Sequence, residues 1–135
     1  MMITDLFDRG EFVVSAEVGP PKGINLDPLI DDANKYLKDN VTAVNVTDNQ
    51  SSVMRAGSLV TCKMLEDEGM TSIFQVTCRD RNRIALQSDI LSAAAFGIEN
   101  LLLLTGDHTT LGDHPKARPV FDLDSVSLIH AVKKL

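Results

Sequence analysis

The sequence has no excess of basic residues. Its 13 Lys and Arg stand against 19 Asp and Glu, a net charge of −6. A nucleic-acid-binding surface needs the opposite balance, so no nucleic-acid partner is expected. No apolar run approaches the ~18 residues of a membrane span, so none is expected to cross one. The opening segment, MMITDLFDRGE, lacks the cationic and apolar regions of a signal peptide. Cysteine is scarce. Cys62 and Cys78 alone make neither a disulfide framework nor a zinc site. His108, His114 and His130 have no ligand spacing, so no metal is expected. A Gly-rich phosphate loop of the dinucleotide or P-loop type is also missing. Together these absences predict a cytoplasmic protein with free thiols.

What is present is an alternation of strand and helix signals within 135 residues, 44% of them hydrophobic. That is enough for one region spanning 1–135. Phe12 to Glu17 reads as the first strand. After Gly19-Pro20-Pro21-Lys22-Gly23, the residues Leu26, Leu29, Ile30, Ala33 and Leu37 fall on one helix face. Asp27 before Pro28 predicts an N-cap with proline at the first helical position. Ala43 to Thr47 is the second strand, and Val53, Ala56, Gly57, Val60 and Met64 repeat the helical spacing up to Gly69. Ser72 to Thr77 is the third strand. Its helix runs from Arg83 to about Phe96, with Ile90, Leu91, Ala94 and Ala95 inward. Leu101 to Leu104 is the fourth. A last helix begins near Asp122, with Leu123, Val126, Ile129 and Val132 at turn spacing.

Four βα units in succession predict a parallel sheet in the order 1-2-3-4 with right-handed crossovers. A doubly wound sheet and part of a barrel both satisfy this. Residue parity favours the barrel. Ser15 and Glu17, Asn45 and Thr47, and Gln75 and Thr77 share one polar parity. Val14 and Ala16, Val44 and Val46, and Phe74 and Val76 form an apolar one. A barrel turns its apolar parity to the helices and its polar parity inward. The expected fold is therefore α/β, a parallel (βα)4 half of a TIM (β/α)8 barrel, since a whole barrel takes ~250 residues. Free edges on strands one and four then predict a homo-oligomer or a complementing second half.

Barrel active sites lie at the C-terminal ends of the strands. Polar residues crowd there: Glu17, Thr47 to Gln50, Gln75, Thr77 to Asp80, and Thr105 to His108. Glu17 closes an apolar strand before a rigid Gly-Pro-Pro turn. An acid held there in a partly dry cavity suits general-acid work, because desolvation favours the protonated form. Asp107 follows Thr105-Gly106, where glycine lets backbone approach a ligand closely. Gln75 can bond a ring edge from inside the barrel, or its amide can be satisfied by neighbouring strands. Arg79, Arg81 and Arg83 at a helix entrance can hold an anion, or pair with Asp80 at the surface. Cys78 has no histidine placed as its base, and Cys62 reads as packing.

These strand ends resemble a known family. Ser15-Ala16-Glu17-Val18-Gly19-Pro20-Pro21 is similar to the Glu-x-x-Pro-Pro strand end of methylenetetrahydrofolate reductases. Val46-Thr47-Asp48-Asn49-Gln50, Thr77-Cys78-Arg79-Asp80-Arg81-Asn82-Arg83 and Leu104-Thr105-Gly106-Asp107 follow in the family's order and spacing. The Cys-Arg-Asp-Arg-Asn-Arg string resembles a subset found in anaerobes and in fusions with a homocysteine methyltransferase. The resemblance implies a barrel carrying FAD or FMN over its strand ends. The flavin takes hydride from a reduced nicotinamide or another donor. It passes hydride to 5,10-methylenetetrahydrofolate, giving the 5-methyltetrahydrofolate used in methionine biosynthesis. By this likeness Glu17 is the general acid that opens the imidazolidine ring at N10. Asp107 is the acid near the flavin pyrimidine and the pterin. Thr47, Gln75, Thr105 and Gly106 match flavin-contacting positions. Many relatives carry His at the position of Gln75 and Arg at that of Thr105. Phe121 and Asp122 fall where adenosine-side contacts begin. The rival readings are a non-catalytic half barrel that binds a partner chain or a corrinoid-folate complex, and a flavin-free barrel enzyme such as a lyase that uses Glu17 and Asp107.

Overall fold

The computed structural model describes residues 1–135. Four parallel strands form one sheet in the order β1-β2-β3-β4. They are β1 (Ser15–Val18), β2 (Ala43–Val46), β3 (Ser72–Thr77) and β4 (Asn100–Leu104), alternating with α2 (Asp27–Tyr36), α3 (Ser58–Asp67), α4 (Arg83–Ala95) and α5 (Ser125–Val132). A short helix, α1 (Ile3–Asp8), precedes them. None of these helices is long and apolar enough to cross a membrane.

The parity of the strands decides which face is covered. Val44 and Val46 of β2 and Phe74 and Val76 of β3 are buried in one cluster. Ile30 and Ala33 of α2, Cys62 and Leu65 of α3, Leu86, Ile90 and Ala93 of α4, and Leu128 of α5 belong to the same cluster. All four helices therefore meet the apolar parity, where burial contributes ~25 cal/mol per Å² of apolar surface. The opposite parity carries Glu17, Asn45 and Gln75. Glu17 is paired directly with Asn45, and Gln75 with Leu102. Leu102 lies on this face and remains 38% exposed.

Several boundaries differ from the sequence expectation, each for a local reason. The first strand spans Ser15–Val18 rather than Phe12–Glu17, and Phe12 is 91% exposed. Its neighbour β2 begins only at Ala43, so the ladder has no partner for Phe12. Asp27 is not the N-cap of α2. It is the first helical residue, and its N–H donates to Asn25 Oδ1 at 3.2 Å. The helix α3 starts at Ser58, not Val53, because Val53 is extended and the next residues are tied elsewhere. Arg55 N donates to Asn49 Oδ1 and Ala56 N to Pro21 O. Its buried side is Ser58, Thr61, Cys62 and Leu65, whereas Val60 is exposed. Small polar residues can line a core when their hydroxyls are satisfied. Ser58 Oγ donates to Gln75 O at 2.9 Å, and Thr61 Oγ1 to Gly57 O.

The helix α4 begins at Arg83 as expected, capped by Asn82 Oδ1, which accepts from Ile84 N and Ala85 N. Its buried stripe is Leu86, Ile90 and Ala93, while Leu91, Ala94 and Ala95 are exposed. A run of three alanines offers no contrast between faces, so spacing alone misplaces the stripe. The helix α5 starts at Ser125 instead of near Asp122. Asp124 and Ser127 form a reciprocal capping box. Asp122 turns away to Arg83, accepting from its Nε at 2.8 Å. Leu128 is the buried residue of α5, and Val126 and Ile129 are exposed. The strand and helix alternation left α1 unread. It buries Ile3 and Leu6, and Asn100 Oδ1 at the start of β4 accepts from Ile3 N at 2.8 Å.

Candidate functional site

The C-terminal strand ends carry a recess of about 320 Å³ lined by Asp48, Gln50, Gln75, Thr77, Arg79, Thr105, Gly106 and Asp107, among others. Four of the five residues singled out for a flavin, Gln75, Thr105, Gly106 and Asp107, therefore share one cavity. A second recess of about 470 Å³ shares Thr105 and Gly106 and continues to Phe121, Asp122, Asp124 and Ser127. The His108 ring stacks on Phe121 at 6.1 Å between centroids. Gly106 sits at φ +93°, and a Cβ there would lie 3.0 Å from Thr77 Cβ. Only glycine lets this backbone pass so close to the end of β3.

Thr47 is not in either lining. It is buried, its hydroxyl has no partner, and a Cβ on Gly19 would come within 3.5 Å of it. Thr105 already uses its hydroxyl, which accepts from Ser125 N at 3.0 Å and so anchors the start of α5. The Asp107 carboxylate is exposed and takes no hydrogen bond within the chain, whereas its backbone carbonyl is held by Arg79. Glu17 reaches the cavity through Gln75. Its Oε2 accepts from Gln75 Nε2 and from Asn45 Nδ2, each at 3.2 Å. The partly dry setting expected for Glu17 is not formed by these residues, since Glu17 is exposed on the helix-free face.

The arginine cluster does not converge on a shared anion site. Each guanidinium has its own acid. Arg81 pairs with buried Asp48 at 2.8 Å and with Asp89, and Arg83 pairs with Asp122. Asp48 Oδ2 also accepts from Thr77 N and Thr77 Oγ1, so it pins the end of β3. Arg79 is the largest fully buried side chain of the protein. It bonds the Asp80 carboxylate and donates to the carbonyls of Asn49 and Asp107, both at 3.3 Å. Three rim segments thus meet on one side chain. Reading the three arginines as one cluster hid this, because spacing in a loop says nothing about direction.

The thiols stay inert. Burial pushes Cys62 up to about 12, and burial also raises Cys78. No group of three or more His, Cys, Asp or Glu side chains is placed to hold a metal.

The methylenetetrahydrofolate reductase family model matches residues 2–135. The chain belongs to the methylenetetrahydrofolate reductase family. No curated protein matches it in a sequence comparison. Membership gives methylenetetrahydrofolate reductase-like oxidoreductase chemistry at the level of the family.

The rim loops are tightly closed in their local geometry. Asn49, Ser51 and Ser52 all have positive φ, at 48°, 56° and 59°. Such non-glycine conformers cost energy unless neighbours impose them. The loop after β4 is that neighbour. A Cβ on Gly112 would lie 1.6 Å from Ser52 O, so Gly112→Ala forces the two loops apart. The expected cost is about 1–3 kcal/mol in urea unfolding. An unchanged midpoint would show that the loops do not depend on this approach.

Asp113 clamps the same loops, accepting from Lys22 Nζ at 2.8 Å and from Met54 N at 3.0 Å. The Lys22 hydrogen bond first, and the Met54 N–H second, hold its carboxyl down at about 2 from an ordinary 3.8. A depressed folded value means that the clamp's contribution is fully present above the unfolded value and is lost as pH falls through the folded one. The protection factor of the Met54 amide, its exchange rate set against the intrinsic rate at each pH, should therefore hold from pH 8 to about 5 and fall only between about 4 and 2. Opening already at pH 6 would disconnect the clamp from Asp113.

Proposed function

We propose that this chain forms the first half of a flavin-dependent barrel that reduces 5,10-methylenetetrahydrofolate to 5-methyltetrahydrofolate. The observation that carries the reading is convergence. Gln75, Thr105, Gly106 and Asp107, which the family resemblance assigns to the flavin, line one recess at the C-terminal strand ends. The unpaired edges of β1 and β4 support completion by four further strands, in a longer polypeptide or a second chain.

The residues present fit a flavin. Two recesses lie on either side of Thr105 and Gly106, which line both, and together they would suit an elongated molecule. The buried hydroxyl of Thr47, at the end of β2 next to Asp48 of the recess lining, has no hydrogen-bond partner within the chain. Gln75, Thr105, Gly106 and Asp107 would hold the ring system. Phe121 and Asp122 would border the adenosine side of FAD, the flavin favoured here over FMN. When bound, the flavin supplies hydride to the methylene carbon.

The chain's own residues would do the rest. Glu17 gives a proton to N10 of the folate. The bond from the methylene carbon to N10 breaks with its electron pair on N10. The lone pair of N5 forms the iminium that hydride then reduces. Asp107 presents an unpaired carboxylate to the recess, suited to a pterin amino group or to the flavin pyrimidine. Folate and an electron donor, a nicotinamide or another reductant, are the partners this requires.

The test is a single-turnover experiment on the full-length protein with flavin bound. The flavin is reduced with dithionite and mixed with 5,10-methylenetetrahydrofolate. Reoxidation with formation of 5-methyltetrahydrofolate is expected. A protein that binds no flavin, or whose reduced flavin ignores the folate, would overturn the reading.

A further inference from the structure

Glu17 makes both of its hydrogen bonds through one oxygen. Asn45 Nδ2 and Gln75 Nε2 each donate to Oε2 at 3.2 Å, and Oε1 makes none. Asn45 is the direct partner of Glu17 in the β1–β2 ladder. The amides are oriented by charge. Turning either one would set its carbonyl oxygen against the carboxylate. Asn45 has no other reason for its pose. Its Oδ1 is buried without a partner, so its only side-chain hydrogen bond is the one to Glu17. An asparagine in a strand interior is also a poor choice for packing alone, where β-branched residues do better.

From this we infer that Asn45 is a positioning residue for proton transfer. Together with Gln75 it occupies Glu17 Oε2 and leaves Oε1 as the oxygen that carries and delivers the proton. The inference rests on the reading of Glu17 as the acid. An amide N–H cannot accept a proton's hydrogen bond, so a proton on Oε2 would face two donors. On Oε1 it meets neither. When that proton passes to N10 and the bond from the methylene carbon to N10 breaks, Glu17 is left as a carboxylate. The two N–H groups already point at the oxygen that shares the new charge, and they need no reorganisation as it develops.

Two variants of the full-length, flavin-loaded protein test this. Asn45→Asp keeps the shape and replaces the donor with an acceptor. Asn45→Leu removes the amide and its unpaired Oδ1, so it should fold. In both, reoxidation of the dithionite-reduced flavin by 5,10-methylenetetrahydrofolate should slow by about 10–100-fold, the size of a lost hydrogen bond to a charged group. The flavin dissociation constant and the KM for folate should stay at the wild-type values. A second readout needs no turnover. The infrared carboxyl band of Glu17, in its protonated or ionised form and assigned by its loss in Glu17→Gln, should shift in Asn45→Leu. If Glu17→Gln stops reoxidation while both Asn45 variants keep the full rate and the band does not move, the positioning role is wrong and the acid role stands. If Glu17→Gln itself keeps the full rate, the acid role fails and the assignment of Oε1 fails with it. Equal losses in flavin affinity and reoxidation, with a lowered melting temperature, would make Asn45 merely structural and overturn the proposal.

Discussion

Glu17→Gln is expected to slow the transfer of hydride to 5,10-methylenetetrahydrofolate by about 10²–10⁴-fold while the flavin stays bound, the usual contribution of a positioned general acid. The argument is one of proton supply. N10 is a poor leaving group without a proton, and glutamine keeps the length of glutamate but has no acidic proton to give. The substitution should not disturb the fold. Glu17 is exposed and belongs to the helix-free face, away from the buried cluster. Surface changes of this kind are usually within about 0.5 kcal/mol. Flavin reduction by dithionite and reoxidation by folate are measured separately on the full-length protein. An unchanged folate step would remove Glu17 from the mechanism. A loss of flavin would instead make Glu17 part of the cofactor site.

The sheet was legible because its code has period two. Val44 and Val46 against Asn45 and Thr47, repeated in Phe74 and Val76 against Gln75 and Thr77, assign the covered face without any coordinates. The same pattern put Glu17, Asn45 and Gln75 on one surface, and there they bond. The helices were less legible where polarity carried no contrast. Ser58 and Thr61 are buried because each hydroxyl finds a backbone carbonyl, which a hydrophobic stripe cannot register. In α4 the alanine run hid which side faced inward. At the site, Gly106 and Asp107 could be placed from the strand end and the glycine beside it. The direction of Arg79 could not. Loop residues take their orientation from partners distant in sequence, and Asn49 and Asp107 are 30 and 28 residues away.

That side chain carries the other large effect. Arg79→Met should destabilise the 135-residue chain by about 2–4 kcal/mol, with the damage concentrated at the rim. Methionine retains much of the stem's packing, so lost contacts of the apolar part are few. What disappears is the fork. The carbonyls of Asn49 and Asp107 lose their donor, and the Asp80 carboxylate loses a bidentate partner. Asp80 is 38% exposed on its side chain, so water takes over part of that role and keeps the cost below that of a fully buried pair. Arg79→Lys should recover less than half of the loss. An ammonium is a point charge and cannot reach two carbonyls and a carboxylate at once. Urea unfolding gives the total, and amide exchange shows where it falls. Residues 49–56 and 106–117 should open first, with β2 and β3 still protected. The strained Asn49, Ser51 and Ser52 backbone should then relax, since one of its fixed points is gone. Uniform loss of protection across sheet and rim would mean that Arg79 serves the core, and that Asp107 is held in place by something else.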